Sequence, residues 1–431
     1  MQIDPATDPV LKLARDSSPL DAFRSTISAA VTRNPSLGES IAQREEAEAA
    51  RNEARARQYP TIDLSLSNFQ VLSRAFSNDP GNILEQQRPR RRTDAIGRLQ
   101  QPLIDFGAST SRIQAGNARL EAAIAGIEDS SAQIALRAIA AWYNVFGYRA
   151  LVRLGEAFSA SQAEMRGRIN DRIRSGVAAA GDAAQVESYI ASSNAQLADF
   201  RRALANAEAQ FQELVGQSAP VGLGRAPTPD LAAISAATIV DDAERLPAVN
   251  AARLSADAAN QDLKAMKADQ LPAVTLGIDA GRYGLTENRF DYDARANVTL
   301  NWRLFGGGKQ RVDQVQARVH GAEARFRRTR EEAQRDAKIA WSDVEALEQS
   351  KAAIEINYMA SRQSRDVIAE RFRVSRGSLF DLIGAEANYF NVAARYIQTV
   401  TELDIARYVL LARTNKLLAT LQIEPAALDP R

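Results

Sequence analysis

Tyr292-Asp-Ala-Arg-Ala-Asn-Val-Thr-Leu-Asn-Trp-Arg-Leu304, followed by Phe305, Gly306, Gly307, Gly308 and Lys309, is the stretch on which the fold turns. Tyr292, Ala294, Ala296, Val298, Leu300, Trp302 and Leu304 alternate with Asp293, Arg295, Asn297, Thr299, Asn301 and Arg303. That period of two predicts a strand with one apolar and one polar face, running to about Phe305. Three glycines then free the backbone to turn, and from Lys309 the chain is charged, alanine-rich and helical in character. A long strand feeds a long helix.

The apolar face needs a partner. In a soluble sheet it would rest on other elements, yet the helices here are too charged and alanine-rich to supply much cover. Lipid is the other apolar medium, and about ten residues with alternating character fit a transmembrane β-barrel strand. Tyr292, Val298, Leu300 and Trp302 are the expected lipid-facing residues. A half-buried soluble strand remains the competing reading at this point.

Composition narrows the class. The 431 residues are 6% aromatic and carry a net charge of +1, so long helices are favoured and polyanion binding is not. Without cysteine there is no thiol chemistry, cysteine metal site, disulfide or acylated N-terminal cysteine. The single histidine, His320, excludes a multi-histidine metal site. Gly306-Gly-Gly308-Lys309 lacks the spacing of a phosphate-binding loop, and Gln310 stands where a hydroxyl is needed. No run of about eighteen apolar residues predicts a membrane helix, and 1–20 lacks the apolar core of a signal peptide.

The chain also repeats itself. Pro247, Pro272 and Leu276 follow Pro35, Pro60 and Leu64 at one offset of 212 (247 less 35, 272 less 60, 276 less 64). Each half reads as helix, strand, strand, very long helix, turn, helix. The predicted divisions are 1–59 (N-terminal segment and first helices), 60–105 (strand pair), 106–216 (helix hairpin), 217–240 (linker), 241–271 (helix), 272–305 (strand pair), 306–421 (helix hairpin) and 422–431 (tail). Pro102 implies a bulge or end in the second strand. In the first long helix Leu120, Ile124, Ile127, Ser131, Ile134, Ala138, Ala141, Val145, Tyr148 and Val152 form a coiled-coil seam. It turns wet at Gly155, Ser159, Gln162 and Arg166. Four strands cannot close a barrel, so the lipid reading requires several chains to pool them.

The doubled plan, the Asn34-Pro35 and Tyr59-Pro60 pairs, Leu304-Phe-Gly-Gly-Gly308 and Gly377-Ser-Leu-Phe-Asp-Leu-Ile383 together resemble the TolC-like outer-membrane channel proteins, from about Pro19 to Ile423. The resemblance implies an α+β membrane protein: a homotrimer with one shared twelve-stranded transmembrane β-barrel, a periplasmic α-helical barrel of coiled-coil hairpins and a mixed equatorial region. It implies a passive exit duct in a Gram-negative outer membrane, neither an enzyme nor a cofactor protein. Its implied partners are outer-membrane lipid, a periplasmic adaptor and an inner-membrane ABC or proton-driven transporter, with no nucleic acid. Arg376 to Ile383 followed by Glu386, Tyr389 and Phe390 looks most like the type I protein-secretion branch; multidrug efflux is the alternative. A soluble coiled-coil scaffold is the alternative from another class.

The same resemblance assigns candidate sites. Asp381 matches the first acidic position of the family's periplasmic gate, while Gly384 stands where a second aspartate is usual. Phe372 occupies the gate-holding tyrosine position without its hydroxyl, which leaves a latch to Arg373 or Arg376. Gly176, Val177, Asp182 and Gly377 mark the hairpin tips where an adaptor is expected to dock, although turn chemistry alone explains the glycines. Asp381 is equally well placed for the helix dipole. Arg88, Arg90, Arg91 and Arg92 lie in the first outer loop and are candidates for lipopolysaccharide phosphates, against the reading of a solvated charge run.

Overall fold

The computed structural model describes residues 8–13, 18–74, 81, 83, 88–176, 180–287, 291–374 and 376–424. They fall into two compact units, one of 42–124 with 251–327 and one of 1–41, 125–250 and 328–431. In order the elements are α1 (Pro9–Leu13), α2 (Leu20–Arg33), α3 (Pro35–Ala56), β1 (Thr61–Gln70), β2 (Arg91–Ile104), α4 (Ala108–Arg174) and α5 (Ala180–Val215). The second half contributes α6 (Ile239–Glu244), α7 (Pro247–Ala268), β3 (Ala273–Tyr283), β4 (Asp291–Asn301), α8 (Gly308–Arg373), α9 (Leu379–Arg413) and α10 (Leu417–Leu421). The duplication has a local cause. Pro35 and Pro247 each occupy the first position of a helix, where a missing N–H is harmless, and Pro60 and Pro272 each precede a strand.

The first unit holds an antiparallel sheet in the order β1-β2-β3-β4. Thr61 pairs with Gln100, Gln100 with Gly277 and Gly277 with Asn297, which fixes the register across all four strands. The β2–β3 register slips between Pro102 and Ile104, where proline cannot donate to the ladder. Two boundaries differ from the alternation. β2 begins at Arg91, inside what reads as loop, because Arg91 and Arg92 pair with Gln70 and Phe69. β4 stops at Asn301, so Trp302 and Leu304 lie beyond the strand; the Trp302 indole donates to the Gln270 carbonyl (3.2 Å) and the chain turns through Gly306 and Gly307 at positive φ.

The second unit is helical. Its core packs Phe23 and Ile27 of α2 against Trp142, Tyr143 and Phe146 of α4, Phe211 of α5 and Tyr408 of α9. The coiled-coil seam is buried at Ile127, Ser131, Ile134, Ala138, Ala141 and Val145, with the Ser131 hydroxyl donating to its own helix at the Ile127 carbonyl. The linker crosses this core. Trp142 donates to the Gly224 carbonyl (3.0 Å), and the Arg225 guanidinium makes a two-pronged bond to buried Asp404 (2.5 and 2.7 Å). Such a pair is costly to break from one side. The last helix, expected to run to Leu421, breaks after Arg413. Asn415 is left-handed and the Lys416 N–H bonds the Leu411 carbonyl (2.8 Å), a C-terminal cap before α10. Gln162, expected in the wet part of the seam, is buried because α5 covers it and the Ser193 hydroxyl accepts from its amide (2.6 Å). Arg166 is exposed and pairs with Glu187.

Candidate functional site

One face of the sheet is mainly apolar, with Gln101 opposite Leu276 and Arg282 opposite Ala95 and Tyr292 as its polar members toward the two ends. The register sets Ile62, Leu64 and Leu66 of β1 beside Leu99, Gly97 and Ala95 of β2; Leu99 and Gly97 face Ile278 and Ala280 of β3; Val274, Leu276 and Ile278 face Leu300, Val298 and Ala296 of β4. Among the described residues no helix of this unit covers the edges of that face: Ile62, Leu64, Leu66, Val298 and Leu300 all stay more than 60% exposed, as does Tyr292. The other face carries Asp63, Arg98, Asp279 and Arg295 in successive strands, with the Arg98 guanidinium on Asp279 at 2.9 Å. Charges across one side and a mainly apolar middle on the other is the pattern of a wall between lipid and water.

Aromatic side chains mark both ends of the strands. Tyr59, Phe106 and Trp302 sit exposed beside the ends that join the helices, and Phe69, Tyr283 and Tyr292 lie at the opposite ends. Arg92 lies over the Phe69 ring (5.4 Å) and the Tyr283 ring (4.9 Å) and pairs with Asp94 (2.8 Å), so it belongs to the sheet and is not free in the loop. Arg91 reaches Glu287 at 3.9 Å, and Arg88 and Arg90 are exposed.

At the other candidate site, in the helical unit, four helices meet beneath the turn between α8 and α9. Phe372 of α8 is buried with Met165 and Ile169 of α4, Val186 of α5, and Leu379 and Leu382 of α9. Gly377 is required by close approach, since a Cβ there would lie 3.0 Å from the Phe372 nitrogen. The Ser378 hydroxyl caps α9 by accepting from the Phe380 N–H (3.1 Å), which leaves Asp381 exposed in the first turn. Gly384 faces open space. The expected latch residues, Arg373 and Arg376, flank the turn between α8 and α9. Arg373 spends its charge on Glu370 of its own helix (2.6 Å), holding that carboxyl below its usual range, and the Arg376 side chain is exposed. Arg172 of α4 instead lies 4.7 Å over the Phe372 ring and donates to its carbonyl (3.4 Å). On the first hairpin, Gly176 adopts a positive φ after α4, Asp182 opens α5, and Val177 lies outside the described residues.

With the sheet face and the hairpin ends in view, likeness to known proteins is decisive. The outer membrane efflux protein family matches residues 26–217 and 239–415. The chain belongs to that family. Among relatives, the outer membrane efflux protein BepC of Brucella suis biovar 1 (strain 1330) is 23% identical over 343 residues, covering 76% of this chain and 74% of that protein. The outer-membrane channel OprN superposes with a TM-score of 0.82 at 18% identity over 96% of each chain. The outer membrane protein VceC of Vibrio cholerae superposes at 0.80 and 19% identity, over 93% of this chain and 96% of its own. Family membership places this chain among the outer membrane efflux proteins.

Two residues, Asp8 and Arg172, escape sequence reasoning, and the surroundings of a third, Glu386, are not legible from it. Asp8 is buried ahead of α1, where it accepts from the Val10 and Leu11 N–H groups and from the Tyr358 hydroxyl and pairs with Arg362. Glu386 is buried with its carboxyl pushed up by burial, against the pull of Arg365 at 3.6 Å. Arg172 is the other. Asp8 and Arg172 are flagged by no motif, because Tyr358 and Phe372, their partners, are remote in sequence.

Proposed function

We propose that the protein is the outer-membrane exit duct of a tripartite export system. Three chains pool their strands into a twelve-stranded barrel, and the long helices form a tunnel that extends into the periplasm. The mainly apolar face, which spans four strands and is uncovered at both edges, carries this reading, since only lipid satisfies it without further protein. The duct is passive; an inner-membrane ABC or proton-driven transporter supplies the energy and an adaptor shifts the helix packing.

The closed mouth is the Phe372 cluster, with Arg172 as its latch and three copies of Asp381 giving the entrance its preference for cations. Gly176, Val177, Asp182 and Gly377 are the proposed adaptor-docking positions. Arg88 and Arg90 remain candidates for lipopolysaccharide phosphates. Efflux of small molecules is the reading that the printed name of the relative BepC favours. Type I protein secretion is the second reading, favoured by Arg376–Ile383 with Glu386, Tyr389 and Phe390. Reconstitution in planar bilayers tests the duct: discrete conductance steps are expected, and a protein that inserts without conducting refutes it. Deleting the coding sequence separates the cargoes, since lost drug resistance with intact protein secretion supports efflux and the reverse supports secretion.

A further inference from the structure

Two apolar clusters lie along the paired hairpins of the helical unit. One gathers Leu151 of α4, Tyr358 of α8 and Tyr396, Ile397 and Val400 of α9, and the other is the Phe372 cluster nearer the turns. Between them the helices bring polar groups together: Gln162 from α4, Tyr189 and Ser193 from α5, Arg365 from α8 and Glu386 from α9. The Phe158 ring stacks on Phe390 (4.3 Å) and meets Tyr189 edge-on (6.0 Å), which holds α4, α5 and α9 at one level there.

This layer is poorly satisfied. Gln162 and Glu386 are buried. The Gln162 amide donates to Ser193, yet its Oε1, the Tyr189 hydroxyl and Arg365 Nε are shut away from water without a hydrogen bond. Among the described residues the Glu386 carboxyl has one ion-pair partner, Arg365 Nη1 at 3.6 Å, beyond ordinary hydrogen-bond distance. Buried polar groups left in this state cost free energy, so the hairpins part more readily here than in the apolar clusters on either side.

Few charged or titratable groups face Glu386. α8 brings Arg365 and Asp366, α5 brings Tyr189, and α9 itself brings Tyr389, over whose ring Arg365 lies at 4.5 Å. α4 offers the neutral Gln162, while its Arg166 is exposed on Glu187 and Arg362 of α8 is committed to Asp8. Arg365 thus stands between two carboxylates, buried Glu386 and exposed Asp366, whose oxygen is 3.0 Å from its Nε though not aligned with the N–H.

We infer that the layer is a proton-operated clasp on the hairpin ends: protonation of Glu386 keeps α8 and α9 packed on α4 and α5 down to the Phe372 cluster, and its ionisation lets the ends part. Only the naming of these ends as a mouth rests on the duct reading. Burial holds the Glu386 carboxyl above its ordinary range while the helices are packed, against the pull of Arg365, and parting hydrates it and returns it to that range. The packed state therefore binds the proton more tightly. Its advantage is full below about pH 4.5, the ordinary value, and is lost as pH rises through the packed-state value, by up to about tenfold per pH unit in each chain. An acid medium closes the mouth.

Glu386→Gln mimics the protonated carboxyl and cannot ionise. Hydrogen exchange of the full-length protein in detergent, read by mass spectrometry on peptides covering residues 379–390 and 393–410, compares parent with variant at each pH and so cancels the pH dependence of exchange itself. At about pH 4.5 the two should match over 379–390. At about pH 8 the parent should exchange several-fold faster there and equally over 393–410. Asp366→Asn, at an exposed position, leaves Arg365 to Glu386 and should move the onset to lower pH. Equal exchange of parent and Glu386→Gln at every pH, acceleration spread equally over 393–410, or an onset moved to higher pH by Asp366→Asn overturns the clasp. In planar bilayers the parent's open probability should rise several-fold over the same pH range while that of Glu386→Gln stays flat, and conduction indifferent to both overturns the link to the mouth. No conductance at any pH overturns the duct reading and leaves the clasp to stand on the exchange data.

Discussion

Placing one arginine on each face of β4 separates a lipid-facing strand from a strand packed on protein. Val298→Arg puts the charge on the apolar face, two residues from the strand's middle at Ala296, hence about 5 Å from the bilayer midplane for strands tilted near 40°. Arginine on the lipid face of a barrel costs about 2–4 kcal/mol at the midplane and less toward the rims. A value of about 2–3 kcal/mol per chain is therefore expected, or about 6–9 kcal/mol for a barrel of three. At about 1.4 kcal/mol per decade that is a loss of four or more decades in the folding equilibrium of the particle. Asn297→Arg, one residue earlier, puts the same charge on the polar face of the sheet and should cost little. The assay is refolding from denaturant into lipid vesicles, followed by the band that stays oligomeric in cold detergent. Equal loss for both substitutions, or none for either, would refute a lipid-facing strand.

The remaining predictions concern the helical unit. Asp404→Ala strands the buried Arg225 guanidinium and should lower stability by about 3–5 kcal/mol, seen as an early thermal transition in circular dichroism. Because burial raises the Glu386 carboxyl, the folded state favours its protonated form; that stabilisation is full below the unfolded value and fades as pH rises through the folded one. Glu386→Gln should therefore unfold at a higher temperature than the parent at pH 8 and alongside it at about pH 4, and an unchanged difference across pH would rule this out. Arg172→Ala should loosen the Phe372 cluster and increase single-channel conductance, whereas Lys in its place keeps part of the cation–ring contact and should act less strongly. Asp381→Asn should reduce cation preference in bilayer recordings; unaltered selectivity would take Asp381 out of the conduction path.

Much of this fold is legible in the sequence, because period-two alternation and the repeated prolines are local signals. The strand at Asp291–Asn301, the helix from Gly308 and the break at Pro102 follow from a few neighbouring residues. Legibility fails where a remote partner decides. β4 ends at Asn301 because its partner β3 begins at Ala273, after Pro272, and Gln162 is buried under another helix, whose Ser193 hydroxyl accepts from its amide. The cluster around Phe372 shows the same limit. Phe372 and Gly377 stand out in the chain, but Arg172, which holds the Phe372 ring, lies 200 residues away and follows no pattern. Arg92 looks like one of a loop's charges until the sheet brings Phe69 and Tyr283 beneath it.

The central claim is that the apolar sheet face meets lipid in a particle of three chains. Expression behind a secretory leader, separation of inner and outer membranes and native mass in detergent test it most directly. The account predicts recovery from the outer membrane as a three-chain particle. A soluble monomer or dimer would contradict it, and would mean that Ile62, Leu64, Val298 and Leu300 are covered by protein.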